Sequence, residues 1–201
     1  MSFRKEKKFR VTVSDFHKFK TQLYQQGMLE IFKSRIISSI YFDTVDLNMF
    51  HDSEEGVLPR KKVRIRWYDE LEEFTFEAKT SSIEGRFKLT DKLVNSIHSN
   101  EITKNRIDLQ YGHLQPILKV SYERSYFMLN EMRITFDKHI TYQHLRYLNK
   151  RKYFDPERVI EIKIPATCSD DFVEKYIPYS TARFSKYSRG LSFCIGDLVE
   201  V

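Results

Sequence analysis

Apolar and polar side chains alternate with period two along most of this chain, which is the pattern of half-buried strands, and the face opposite the apolar one is repeatedly charged. In the opening segment Phe9 and Val11 fall on one face while Glu6, Lys8 and Arg10 fall on the other, since successive strand side chains point to opposite sides. Val63, Ile65 and Trp67 alternate in the same way with Arg64, Arg66 and Tyr68. Phe74, Phe76 and Ala78 alternate with Thr75, Glu77 and Lys79, and Phe87 and Leu89 with Arg86 and Lys88. Farther along, Met132, Ile134 and Phe136 oppose Arg133, Thr135 and Asp137, and Ile160, Ile162 and Ile164 oppose Glu161 and Lys163. Ser38 to Thr44 and Leu118 to Phe127 read as mixed strands, with Tyr122 and Arg124 on one face. About eight strands result, more than a usual sheet holds and compatible with closure into a barrel.

Helical spacing is rarer. Ser14 reads as an N-cap, followed by Phe16, Phe19 and Leu23 on one helical face and by Gly27 as a stop. Thr90 to His98 and Asp170 to Tyr176 are shorter helical candidates, the second ended by Pro178. The prediction is an α+β protein dominated by antiparallel strands. With 201 residues and 41% hydrophobic content, one domain over residues 1–201 is expected, and the polar stretch Ser99 to His113 reads as a long internal connection.

Charge changes this picture. Thirty-four Lys and Arg against twenty-eight Asp and Glu give a formal charge of +6, so polyanions are the natural partners. The predicted strand faces carry Lys8, Arg64, Arg66, Lys79, Arg86, Lys88, Arg124, Arg133 and Lys163 with few acids among them. Cations about 6 Å apart repel by roughly 2 to 3 kcal/mol per pair at an effective dielectric near 20. Outward surfaces normally mix signs, so a face this basic suits a bound anion. Alternation alone leaves two arrangements open: a sandwich with its charges in water, or a closed barrel with the charges inside and helices such as Ser14 to Gln26 covering its apolar outside. A nucleic-acid surface would be the third, with exposed basic and aromatic residues on an open sheet.

Other chemistry is sparse. Cys168 and Cys194 have no metal-ligand spacing and read as packing residues, and the six histidines, His17, His51 and His98 among them, form no ligand cluster. The first ten residues are charged and lack the apolar stretch of a signal peptide, and no apolar run is long enough to span a bilayer; a cytoplasmic protein is expected.

The motifs, in order, resemble the VTC domain, the polyphosphate polymerase branch of the triphosphate tunnel metalloenzyme superfamily that also holds the CYTH phosphohydrolases and cyclases. The fragments are Arg4-x-Glu6-x-Lys8, Tyr41-Phe42-Asp43-Thr44, Arg64-Ile65-Arg66-Trp67-Tyr68 and Glu77-Ala78-Lys79. They continue with Arg86-Phe87-Lys88, Tyr122-Glu123-Arg124, Arg133-Ile134-Thr135-Phe136-Asp137, Glu161-Ile162-Lys163 and Arg183-Phe184-Ser185-Lys186-Tyr187. The resemblance implies a closed eight-stranded antiparallel tunnel with flanking helices on its outside. It implies catalytic roles for Lys8, Arg64, Arg66, Lys79, Arg124, Arg133 and Glu161, and phosphate or nucleotide binding by Lys88, Tyr122, Lys163, Arg183, Ser185 and Lys186. Glu161, with Glu6 as a lesser candidate, would hold Mn²⁺ or Mg²⁺. By their residue types alone, Glu161 and Glu77 equally suit ion pairs with Lys163, Lys79 or a neighbouring arginine, Tyr122 suits packing, Arg183 and Ser185 suit a solvated loop, and Asp43 suits a turn or cap.

The activity implied is transfer of the γ-phosphate of ATP onto a growing polyphosphate. A triphosphatase of the same fold and a non-catalytic polyphosphate or nucleotide binder are the alternatives. Hydrolytic relatives open with Glu-x-Glu-x-Lys, whereas the first of those glutamates is Arg4 here, and one carboxylate fewer weakens a metal-activated water. Expected partners are ATP or another triphosphate and inorganic polyphosphate, with no nucleic acid. Any coupling to export of the product would fall to a membrane partner.

Overall fold

The structure, a computed structural model, describes residues 4–69, 73–93, 101–146, 151–168, 173–174, 176–177 and 179–196. Ten strands and three helices form within them. The strands are β1 (Arg4–Val11), β2 (Leu29–Asp43), β3 (Arg60–Tyr68), β4 (Thr75–Ser82), β5 (Gly85–Lys92), β6 (Arg106–Asp108), β7 (Gly112–Leu129), β8 (Met132–His144), β9 (Lys152–Phe154) and β10 (Arg158–Pro165). The helices are α1 (Val13–Gln25), α2 (Asn48–Glu55) and α3 (Lys186–Ile195). Pairing follows the order β1-β10-β8-β7-β2-β3-β4-β5, with β6 on β7 and β9 on β8; β1/β10, β10/β8, β2/β3, β3/β4, β4/β5 and β6/β7 pair antiparallel. All eight strands expected from alternation are present; the two added ones, β6 and β9, are three residues each, too short to show a period.

By packing, the chain divides into two compact units. The first comprises Met1–Ile36, Tyr122–Ile140 and Phe154–Phe184, and the second Ile37–Ser121, Thr141–Tyr153 and Ser185–Val201.

In the first unit the apolar faces of β1, β10 and β8 are covered by α1. Phe16, Phe19 and Leu23 of that helix pack with Phe9, Phe127, Phe136, Ile160 and Ile162 in one buried cluster. Each such side chain contributes roughly 1.5 to 3 kcal/mol on leaving water. The N-cap is Thr12, two residues before the expected Ser14: the Thr12 hydroxyl accepts the Asp15 amide at 3.1 Å and donates to the Asp15 carboxylate at 2.8 Å. A threonine whose partner three residues on is acidic offers reciprocal bonds that Ser14, already inside the first turn, does not.

The second unit buries Ile40, Phe42, Val63, Ile65, Phe74 and Leu114, and Met49 of α2 joins this apolar cluster. Helix α3 lies on the opposite face. Tyr187, in its first turn, stacks on Tyr41, whose hydroxyl accepts a bond from Arg64, so this helix covers the charged face of β2 and β3. The sequence reading placed all helices on the apolar outside, and α3 departs from it. Gly190 permits the close approach. A Cβ there would come within 2.8 Å of the Leu118 side chain and nearer still to the Tyr142 ring. Gly190→Ala is expected to destabilise the protein by about 1 to 3 kcal/mol through overpacking, read as a lower midpoint in urea unfolding; an unchanged midpoint would contradict this packing.

Two helix expectations fare differently. Thr90 to Lys92 belong to β5 rather than to a helix, because the strand begun at Gly85 keeps its pairing with β4 as far as Thr75 opposite Lys92; 94–98 lie outside the described residues. Most of Asp170 to Tyr176, and Pro178, also lie outside them. No helix among the described residues is long and apolar enough to cross a membrane.

Candidate functional site

Strand pairing turns the linear alternation into two-dimensional arrays of charge, one in each unit. In the first, β1, β10 and β8 align Glu6, Lys163 and Arg133 in one cross-strand row, and Lys8, Glu161 and Thr135 in the next. Glu161 is the centre of that array, 8% exposed although it is a carboxylate. Lys163 Nζ lies 2.9 Å from one of its oxygens and Arg124 Nη2 3.6 Å from the other. Burial disfavours its charge, yet Arg124, Lys163 and Lys8 outweigh that effect and hold the carboxyl well below the usual range. Lys8 also pairs with Glu6 at 3.0 Å and donates to the Phe184 carbonyl at 3.4 Å.

Arg124 is held from several sides. Its guanidinium makes a two-pronged bond to Asp137, with Nε 2.5 Å from Oδ1 and Nη2 2.7 Å from Oδ2, and lies over the Tyr122 ring at 5.3 Å. Burial opposes the charge on Arg124, but Asp137 more than compensates, so the guanidinium remains protonated well beyond its ordinary range. Tyr122 is buried against it, in line with a packing role. Arg133 is half-buried, while Arg183 is exposed.

The second array lies on β3, β4 and β5. Pairing aligns Lys62, Lys79 and Lys88 in one row, Arg64, Glu77 and Thr90 in the next, and Arg66, Thr75 and Lys92 beyond. Its centre is again one buried carboxylate, Glu77. Arg64 approaches it at 2.6 Å through Nε and 2.5 Å through Nη2, Lys88 at 2.6 Å, and Arg66 at 3.9 Å. Burial works against the charge, but Arg64 and then Arg66 hold the carboxyl down to about 2. Arg64, a neighbouring arginine, faces Glu77 directly across the ladder.

Helix α3 brings a fourth element to this array. Ser185 caps it, accepting the Ser188 amide at 3.4 Å, and also receives Lys62 Nζ at 2.7 Å. Ser185 is thus a helix cap tied to the basic row, not a solvated loop. The signal was there to be read: a serine preceding Tyr187, Leu191 and Cys194 at helical spacing, with Gly196 as the stop. Beneath it, the Tyr187 hydroxyl donates to Asp43, whose carboxylate also accepts the Thr44, Met49 and Phe50 amides. Burial first, then Asp43, pushes the Tyr187 phenol far up, whereas Tyr41, equally buried, is drawn down by Arg64 and Arg66.

The residues expected from sequence therefore divide between the arrays. Glu6, Lys8, Tyr122, Arg124, Arg133, Glu161, Lys163 and Arg183 belong to the first unit, and Arg64, Arg66, Lys79, Lys88, Ser185 and Lys186 to the second. Alternation alone had not given roles to Lys62, Glu77, Asp137, Asp43 or Tyr187. No group of three or more His, Cys, Asp or Glu suited to a metal occurs among the described residues. One or two carboxylates, completed by water and phosphate oxygens, are a donor set that Mg²⁺ accepts, and Glu161 with Glu6 fits it.

A sequence profile of the VTC domain matches residues 3–195. No curated protein sequence matches the chain. Among solved structures, a Bacillus halodurans protein proposed to be an adenylate cyclase is similar at a TM-score of 0.56 and 17% identity, covering 92% of this chain and 94% of its own. A protein from Vibrio parahaemolyticus with the same proposed activity is similar at a TM-score of 0.53 and 17% identity, covering 95% and 98%. A proposed adenylyl cyclase from Hippeastrum, described as having a dominant triphosphatase activity, reaches a TM-score of 0.55 at 17% identity, covering 98% of both chains. At this identity the likeness extends to the fold.

Proposed function

This chain belongs to the VTC domain family, and from that premise we propose that it is a metal-dependent polyphosphate polymerase, transferring the γ-phosphate of ATP onto a growing polyphosphate within a closed, basic β-barrel tunnel. The observation that carries the reading is the composition of the charged faces: each array sets several cations around a central buried carboxylate, Glu77 in one and Glu161 in the other, with Asp137 also clamping Arg124 in the latter. Such an array suits a chain of phosphates, which needs charge neutralised at short, regular intervals.

In the proposed reaction a terminal oxygen of the acceptor chain attacks the γ-phosphorus of ATP. A new P–O bond forms as the bond to the β-phosphate oxygen breaks, and ADP leaves with the electron pair. Arg64, Arg66, Arg124 and Arg133 are suited to planar, two-pronged contacts with phosphate oxygens, and Lys8, Lys79, Lys88, Lys163 and Lys186 to compact point charges. Lys62, in register with Lys79 and Lys88, joins that set. Arg183 and Ser185 complete the phosphate ligands, and Tyr122 supports Arg124. Glu161, with Glu6, would hold Mn²⁺ or Mg²⁺, which when bound offsets charge developing on the transferred phosphoryl group. A metal there competes with Lys163 for the Glu161 carboxylate.

A second reading, triphosphate hydrolysis, draws support from the activity described for the Hippeastrum protein. Arg4 in place of the first glutamate of Glu-x-Glu-x-Lys favours the polymerase. Purified protein with ATP and Mn²⁺ is expected to form acid-labile phosphate chains, and to stop when the metal is chelated. Orthophosphate as the sole product would move the assignment to a triphosphatase, and binding without turnover of any triphosphate would move it to a binding module.

A further inference from the structure

The buried bond between Tyr187 and Asp43 lies on the face used by the basic array, yet neither group presents charge to a ligand. Tyr187 is 1% exposed and Asp43 fully buried. Asp43 ends β2, and with three backbone amides and the Tyr187 hydroxyl it ties together β2, the start of α2 and the first turn of α3. The Tyr187 ring stacks on Tyr41 with centroids 5.1 Å apart and planes 24° apart, and Phe50 meets its edge. Tyr41 in turn receives Arg64 Nη1 at 2.8 Å. Immediately before Tyr187 come Ser185 and Lys186, of which the first receives Lys62.

We propose that Asp43 and Tyr187 are positioning residues: their bond fixes the first turn of α3, and thereby sets Ser185 and Lys186 against the cation rows of β3 and β4. This inference rests on the phosphate-binding reading of those rows. Physically, a helix start is its least constrained turn, because its first amides lack partners within the helix. Ser185 closes this one locally, through the Ser188 amide at 3.4 Å, and the Ser188 hydroxyl donates to Ser53 of α2 at 3.3 Å. A phenol bonded to a buried carboxylate adds a constraint from below, leaving the outward side of the turn for an anion. The stacked Tyr41 extends the same support to Arg64, so one buried bond governs the placement of two kinds of phosphate donor.

Tyr187→Phe removes the hydroxyl and keeps the ring, and is the decisive variant, since changes at Asp43 also strip the cap of α2. Tyr111→Phe is its control: it deletes another phenol-to-carboxylate bond, Tyr111 to Asp52 at 2.6 Å, which ends on α2 and not on α3. Affinity for inorganic tripolyphosphate is measured by calorimetry, and amide hydrogen exchange is followed at Ser188 and Arg189. For Tyr187→Phe the expected result is about tenfold weaker tripolyphosphate binding, carried by KM more than by kcat in turnover, with faster exchange at both amides. Tyr111→Phe should change neither. Wild-type affinity in Tyr187→Phe, or an equal loss in Tyr111→Phe, would overturn the proposal. Should the wild-type protein bind no tripolyphosphate, the phosphate reading itself fails and exchange decides: selective loosening of the first turn of α3 sustains the positioning role, and equal exchange in both variants removes it.

Discussion

Arg66→Ala and Glu161→Gln are each expected to lower phosphoryl transfer by roughly 100- to 1,000-fold, the loss seen when one preorganised charge-stabilising group is removed from an active site. The two act differently. Arg66 reaches Glu77 at 3.9 Å and the Ser39 hydroxyl at 3.4 Å, and its side chain is one of the least accessible cations of its array. Truncation removes a fork that no neighbouring lysine reproduces. Glu161→Gln keeps the shape and deletes the charge. Lys163, Arg124 and Lys8 then lose their common counter-ion, and the proposed metal loses its principal ligand. Initial rates with ATP and Mn²⁺, with circular dichroism to verify folding, provide the check. Wild-type rates in both folded variants would remove these residues from the site.

The second large effect concerns stability. Asp137→Ala is expected to cost about 3 to 5 kcal/mol, because it leaves the Arg124 guanidinium buried without its counter-charge. The pair is well shielded, with side-chain exposures of 12% for Arg124 and 0% for Asp137. Glu123→Gln, on the same hairpin, breaks the more accessible contact with Lys138 at 3.1 Å and should cost no more than about 1 kcal/mol. Urea unfolding of the two variants side by side tests this. Similar midpoints would mean that Arg124 finds other partners when Asp137 is gone, Glu161 being the nearest.

These expectations draw unequally on the sequence. Alternation located eight strands and assigned Glu6, Lys8, Arg133 and Lys163 to one face, and pairing then brought Glu6, Lys163 and Arg133 into one row. That succeeded because the period of a strand is two, so the residues that share a face within one strand do so whatever its register. Contacts that depend on register were not legible. Glu77 meets Arg64 from β3 and Lys88 from β5, and neither contact can be read from the strand that carries it. Asp137 was placed on the charged face without a partner, since the Arg124 clamp needs the offset between β7 and β8. Asp43 was read as a cap residue, and it does accept the Met49 and Phe50 amides; its bond to a tyrosine 144 positions away has no local trace. Helix α3 was not assigned from the sequence at all; it lays Tyr187 on Tyr41 and brings Gly190 close to Leu118 and Tyr142.

On the proposed reading, the carboxylate at the centre of each array bears on how quickly the phosphate chain is let go. Were the cations of β3, β4 and β5 bare, a departing phosphate would have to leave neighbouring charges unscreened, and its escape would be slow. Glu77 already sits among Arg64, Arg66 and Lys88, so it can resume those contacts as the phosphate moves on. On the proposed reading, the resident carboxylate flattens the energy profile along the chain's path, and exchange of one anion for another replaces outright dissociation. Grip and slippage are then set by the same residue, and a single built-in acid keeps a strongly basic surface from becoming a trap for its own product.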